Sequence, residues 1–194
     1  QGALFSVFGG YLQSQVKCQT CGYESNTIDP VLDISLEIKS KHIQSVQSAL
    51  SHFCAPEILD GDNKYKCPRC NKKVRAQKQF TIRQPPHVLT LQLKRFGFMG
   101  LFGGNNKITK SINYPDQLTL DPYLSHQPHS AHTYSLYGVL VHTGSSTHSG
   151  HYFSFVRAAN HLWYRCDDHH VSQVSHATAL QQNAYLLFYV KNEH

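Results

Sequence analysis

The chain has 194 residues, 40% of them hydrophobic and 15% charged, with a formal net charge of +6 and a pI of about 9.0. This balance excludes a disordered segment, and the length suits one domain with a real core, or one domain plus a small satellite. No apolar run reaches the roughly 18–20 residues of a membrane-spanning helix, and no basic-then-apolar leader is visible, so the expectation is a globular protein without a membrane partner.

Residues 4–16 alternate loosely and read as a half-exposed strand. Residues 31–38 alternate cleanly, which predicts a strand with Leu32, Ile34, Leu36 and Ile38 on one face. Ile43, Val46, Leu50 and Phe53 recur at helical spacing, so a helix is expected over 43–54, with Cys54 in the core at its end. Residues 59–63 form a turn signal. Strands are expected over 74–82 and 88–96, followed by a glycine-rich loop over 97–107 and a further loop over 121–132. The end of the chain is dense in strand signals, at 133–142, 151–157, 161–166 and 184–190, with a short helix over 175–182.

The six cysteines point to a metal site. Cys18-Gln-Thr-Cys21 and Cys67-Pro-Arg-Cys70 are two C-x-x-C knuckles, and each can aim two thiolates at one ion. Together they complete a tetrahedral sulfur shell suited to one structural zinc. Gly22 and Asn71 follow the two knuckles, where the backbone must turn sharply. The competing reading is disulfides or idle thiols, which the lack of secretory features disfavours. Basic residues gather between Lys64 and Lys78, either as a nucleic-acid face or as surroundings that offset the thiolates.

Two further motifs carry chemistry. A polar stretch, His142–Ser149, leads into Gly150-His151-Tyr152, and Trp163-Tyr164-Arg165-Cys166 ends in Asp167-Asp168. If the strands over 151–157 and 161–166 form a hairpin, His151 and Asp167 meet. A carboxylate would then orient an imidazole whose other nitrogen serves as a general base. Neither Cys54 nor Cys166 is placed to be activated by His151.

These motifs, with Phe8-Gly9-Gly10, Leu32–Leu36, Tyr65–Cys70, Pro86–Phe96 and Ala184–Tyr189, resemble the ubiquitin-specific protease (ubiquitin carboxyl-terminal hydrolase) family of papain-like cysteine proteases. The resemblance implies an α+β papain-like fold shaped as a right hand. Residues 1–80 would be fingers tipped by the zinc knuckles, and residues 81–194 an antiparallel palm. It implies His151 as general base, Asp167 as the acid that orients it, and Asp168 as an assisting neighbour. It implies Tyr152, His142 and Gly150 as substrate contacts, with 97–107 and 142–150 as loops flanking the channel for the ubiquitin tail. The family's nucleophilic cysteine belongs to an N-terminal thumb, and no matching motif precedes Phe8. The resemblance therefore implies a deubiquitinase whose nucleophile lies outside this chain, and a fragment inactive by itself. Ubiquitin and ubiquitinated proteins are the implied partners, with nucleic acid not expected despite the basic patch. Residues 60–63, 139–144 and 186–190 look most like a branch with nucleolar members, which implies an intracellular, nuclear or nucleolar, setting. Two rival readings are a non-catalytic ubiquitin-binding relative and a zinc-ribbon nucleic-acid binder.

Overall fold

Alternating apolar and polar residues dominate this chain, and strands follow from them. The computed structural model describes residues 2–96, 107–146 and 149–193, with only the backbone of residues 145 and 146. The chain opens with a helix, α1 (Ala3–Phe8), closed by the Gly9 N–H donating to the Phe5 carbonyl at 2.8 Å. Only the second part of the expected 4–16 strand is extended, as β1 (Gly10–Cys18). A polar strand that the sequence does not announce, β2 (Glu24–Val31), pairs antiparallel with it. β3 (Ile34–Leu36) then starts in a different sheet. The predicted 31–38 strand is thus broken where the chain crosses between sheets. Leu32 is 44% exposed at the crossing, while Ile34, Leu36 and Ile38 are at 3% or below.

The expected helix is α2 (Val46–Phe53), shortened at its start by a capping box. The Ser45 hydroxyl accepts from the Ser48 N–H at 3.1 Å, and the Ser48 hydroxyl accepts from the Ser45 N–H at 3.0 Å. After α2 come β4 (Glu57–Leu59), β5 (Tyr65–Cys67), β6 (Lys72–Val74), β7 (Ala76–Gln84), β8 (Val88–Leu93) and β9 (Gln117–Thr119). The remainder is β10 (Thr133–Ser146), β11 (Ser149–Arg157), β12 (Trp163–Asp167), β13 (His170–Val174), α3 (His176–Leu180) and β14 (Ala184–Lys191). The expected loop 142–150 is largely strand, because β10 and β11 continue pairing out to Ser146 and Ser149. The expected loop 97–107 lies outside the described residues apart from Lys107.

The strands form a small sheet in the order β2-β1-β7-β4, a large sheet in the order β13-β12-β11-β10-β14-β8-β3 with β9 against β10, and the hairpin β5-β6. Pairing is antiparallel except between β3 and β8. Packing does not divide at the expected boundary of residue 80. β3 joins the large sheet, and Val46, Ala49 and Leu50 of α2 are fully buried in the core that holds Leu91 and Leu187.

Buried polar groups in this core are tied to backbone. Tyr134, Tyr189 and Tyr114 donate their hydroxyls to the carbonyls of Pro86, Pro115 and Ala179 at 2.6, 2.7 and 2.6 Å. Arg95, 1% exposed, donates through Nε to Ala184 O at 2.6 Å and through Nη1 to Ile108 O and Lys110 O at 2.9 and 2.8 Å. Burial pulls its guanidinium pKa down to about 10. Replacing the fully buried Leu91 by Ala is expected to cost about 2–5 kcal/mol in chemical denaturation. An unchanged denaturation midpoint would contradict this account of the core.

Candidate active site and metal centre

The first centre grows from the ends of β1 and β7. Cys18 closes β1 opposite Ala76 at the start of β7, and the β5-β6 hairpin brings Cys67 beside Lys72. Gly22 and Asn71 take positive φ, 70° and 52°, one residue after each knuckle, so the two turns are alike. In each turn the N–H of the second cysteine points at the sulfur of the first, at 3.4 Å for both Cys21 to Cys18 and Cys70 to Cys67. The knuckles interleave, with Cys18 Sγ 3.8 Å from Cys70 Sγ and Cys21 Sγ 3.7 Å from Cys67 Sγ. All four sulfurs lie within 4.8 Å of one another.

Four thiolates at about 2.3 Å from one ion stand about 3.8 Å apart along each tetrahedral edge. The cluster therefore fits a tetrahedral metal ion. A disulfide would need sulfurs at about 2.0 Å, and all six cysteines are free. Burial opposes ionisation of Cys18, but the N–H groups of Cys21 and Thr20 outweigh it and bring the thiol down to about 6.

The second centre lies on the large sheet. β11 and β12 pair antiparallel, with Ser154 opposite Cys166, so Asp167 comes level with Phe153, on the face that carries His151. His151 Nε2 donates to Asp167 Oδ1 at 2.5 Å. Arg165, two residues before Asp167 on the same face, donates through Nη2 to Oδ2 at 2.6 Å. Its guanidinium lies 4.7 Å from the centre of the Phe153 ring, which also stacks on His151 at 6.5 Å. Asp168, in a left-handed conformation at φ 50°, brings its carboxylate within 4.8 Å of the His151 and Asp167 ligand atoms.

The predicted trio thus converges. The hydrogen bond to Asp167 raises the His151 pKa above its ordinary value. The same bond, with Arg165, holds Asp167 below the usual carboxylate range. Among the described residues, His151 Nδ1 has no hydrogen-bond partner. An imidazole anchored through Nε2 with Nδ1 open can take a proton from a thiol, hydroxyl or water set before it.

The three expected substrate contacts separate. Tyr152 is 43% exposed and Gly150 is exposed, so both can meet a ligand. His142 cannot, because it is only 4% exposed. It lies opposite Tyr152 in the pairing of β10 and β11, beneath an aromatic group formed by Phe96, Tyr152 and Tyr185. Burial pushes the Cys54 thiol up to about 11, and Cys166 faces away from Asp167 by strand alternation. Neither serves His151 as a nucleophile, as the sequence anticipates. Arg165 and Lys107 join these residues in the structure; the i, i+2 spacing of Arg165 from Asp167 is the one local signal for the first, and no local pattern marks the second.

The chain matches the ubiquitin carboxyl-terminal hydrolase family model over residues 1–189. It is 50% identical over 186 residues to human ubiquitin carboxyl-terminal hydrolase 42, covering 96% of this chain and 14% of that protein. It is 47% identical over 188 residues to ubiquitin carboxyl-terminal hydrolase 23 of Arabidopsis thaliana, covering 96% of this chain and 21% of that protein. The chain therefore spans only a small part of these relatives. Among solved structures, the SAGA Ubp8/Sgf11/Sus1/Sgf73 DUB module bound to ubiquitin aldehyde is similar at a TM-score of 0.88 and 34% identity, over 100% of this chain and 43% of that one.

The His151–Asp167 contact makes a signed prediction. A raised His151 pKa adds stability that is complete below its unfolded value and lost as pH rises through its folded value. A depressed Asp167 pKa adds stability above its unfolded value and loses it as pH falls through its folded value. The pair should therefore stabilise most between the unfolded values of Asp167 and His151, and lose that stability as pH falls through the lowered Asp167 midpoint or rises through the raised His151 midpoint. Imidazole NMR should place the His151 midpoint above 6.5, and Asp167→Asn should lower it. An unshifted midpoint in that variant would remove the pairing.

Proposed function

Because this chain belongs to the ubiquitin carboxyl-terminal hydrolase family, we propose that it supplies the acid–base half, and most of the ubiquitin-holding surface, of a deubiquitinating thiol protease. The observation that carries the reading is the His151 Nε2–Asp167 hydrogen bond beside an open Nδ1. The nucleophilic cysteine comes from an N-terminal thumb segment outside these 194 residues. His151 Nδ1 takes the proton of that thiol, and the thiolate attacks the carbonyl carbon of ubiquitin's last glycine. The tetrahedral intermediate collapses as imidazolium returns the proton to the departing lysine amine. Water, deprotonated by the same imidazole, then breaks the thioester. Asp167 keeps the ring oriented throughout, Arg165 steadies Asp167, and Asp168 favours the imidazolium through its charge.

Ubiquitin as partner is supported by the ubiquitin aldehyde bound to the similar Ubp8 module. In this reading β1, β2, β4, β7 and the knuckles are fingers that hold the ubiquitin body, while β3 and α2 go with the palm because they share its core. Tyr152 and Gly150 line the tail channel. The metal is one zinc, held by Cys18, Cys21, Cys67 and Cys70. A site with four protein ligands has no open position, so the zinc orders the finger tip and takes no part in hydrolysis. Likeness to the nucleolar branch extends the proposal to an intracellular, nuclear or nucleolar, setting.

Two measurements test this reading. In the longer protein that includes the nucleophile segment, His151→Ala should lower turnover of a ubiquitin C-terminal fluorogenic amide by about 10²-fold or more. The 194-residue chain by itself should turn over none. Near-normal turnover in the variant would end the general-base assignment. Elemental analysis should find one zinc per chain, lost in Cys67→Ser together with the near-native melt of the finger region. A metal-free chain with native stability would end the zinc assignment.

A further inference from the structure

His142 is a buried polar side chain that the proposed chemistry leaves without a task. Its Nε2 is buried and lacks a hydrogen-bond partner among the described residues. Such a group in a folded protein calls for an explanation. On its other side, the Lys107 ammonium donates to the His142 carbonyl oxygen at 2.5 Å and stands 3.4 Å from Nδ1. Lys107 also sits over the Phe96 ring at 5.7 Å. A cation facing Nδ1 makes that nitrogen the acceptor and puts the ring proton on Nε2. Burial and the Lys107 charge both lower the His142 pKa.

The face of the ring is set against glycine backbone. Gly144 and Gly150 both carry positive φ, 125° and 155°, at the point where the β10-β11 register slips between Thr143 and Ser146. A Cβ on Gly150 would collide with His142 Nε2 and stand 2.8 Å from Cε1. A Cβ on Gly144 would stand 3.4 Å from Cε1. Backbone is the nearest obstacle at both positions, Thr143 O for Gly150 and Ser149 O at 2.6 Å for Gly144, and of the two only Gly150 also leaves room that the imidazole itself requires. The next residue after Gly150 is His151, and its neighbour Tyr152 rests on the same ring, with centroids 4.6 Å apart.

We propose that His142 is a positioning residue for His151: an imidazole wedge, held by Lys107, against which the backbone of Gly150 packs so that His151 meets Asp167. The wedge touches neither substrate nor the reacting atoms. It acts through the backbone of Gly150, which sets the height of His151 above the sheet. This inference rests on the deubiquitinase reading only for its kinetic consequence; the geometric claim concerns the chain alone.

The test has two arms. In the 194-residue chain, with zinc content and circular dichroism as fold controls, imidazole NMR reads the His151 midpoint. His142→Ala removes the wedge, so the midpoint should fall toward the ordinary imidazole value as the Asp167 contact loosens. His142→Phe restores a planar ring and should restore the midpoint. In the longer protein, His142→Ala should lower kcat on the fluorogenic amide about tenfold or more, with KM changed less than about twofold, because misplacing a general base acts on the chemical step. His142→Phe should recover most of that loss. Should His142→Ala not fold, His142→Leu, which keeps bulk without planarity, takes its place with the same expectations. An unchanged His151 midpoint and kcat in the ring-deleted variant would overturn the proposal, as would equal loss in the Phe variant. A longer protein inactive even as wild type would defeat the deubiquitinase reading and leave the NMR arm to decide the wedge.

Discussion

Antiparallel register is the constraint on which both centres depend. The cysteine cluster exists because β1 and β7 pair so that Cys18 ends opposite Ala76, which returns the second knuckle to the first. The His151–Asp167 contact exists because β11 and β12 pair with Ser154 opposite Cys166. Side chains alternate with a period of two, so a slip of one residue would turn His151 and Asp167 to opposite faces. Burial of Phe155 and Trp163, at 2% and 3% exposure, makes such a slip costly, because it would bring these rings into water. The core thus specifies the site through register without touching it.

The two centres solve opposite electrostatic problems. Four sulfurs close to one another, two of them buried, could hold a metal ion among them. Local N–H groups lower the Cys18 thiol, while the neighbouring sulfurs push the Cys70 thiol up to about 12. The second centre is half open, and its charges balance internally. Asp167 accepts from both His151 and Arg165, so its carboxylate stays ionised and the imidazole keeps one nitrogen for other work. A closed shell favours structure, whereas an open shell with a free nitrogen favours chemistry.

Elsewhere two cations are held by carbonyls instead of carboxylates, Arg95 buried and Lys107 half-buried. Arg95 donates through Nε and Nη1 to the carbonyls of Ala184, Ile108 and Lys110, leaving Nη2 without a partner among the described residues, and Lys107 donates to the carbonyl of His142. These bonds join the ends of β8 and β14, and His142 within β10, to residues 107–110. Carbonyl acceptors suit this task because they come from backbone whose place is already set by pairing, so the guanidinium fork meets a rigid set of partners.

Local spacing made the knuckles legible from sequence, since Cys18-x-x-Cys21 and Cys67-x-x-Cys70 need only a tight turn each, with Gly22 and Asn71 marking it. Alternation likewise announced β8, β10, β11, β12 and β14, and helical spacing announced α2. Polar β2 and β13 were not legible, because each is extended through pairing with a neighbour and not through a buried face of its own. The break at Leu32 was hidden because alternation cannot register a crossing between two sheets. The sequence by itself determined the four clustered cysteines that could hold a metal and, through motif resemblance, the His151 and Asp167 candidates. Only the tertiary structure decided that Arg165 donates to Asp167 and that the His142 ring is buried against Gly150. Those relations hang on which strand lies beside which and how deep a ring sinks, and neither is written in local order.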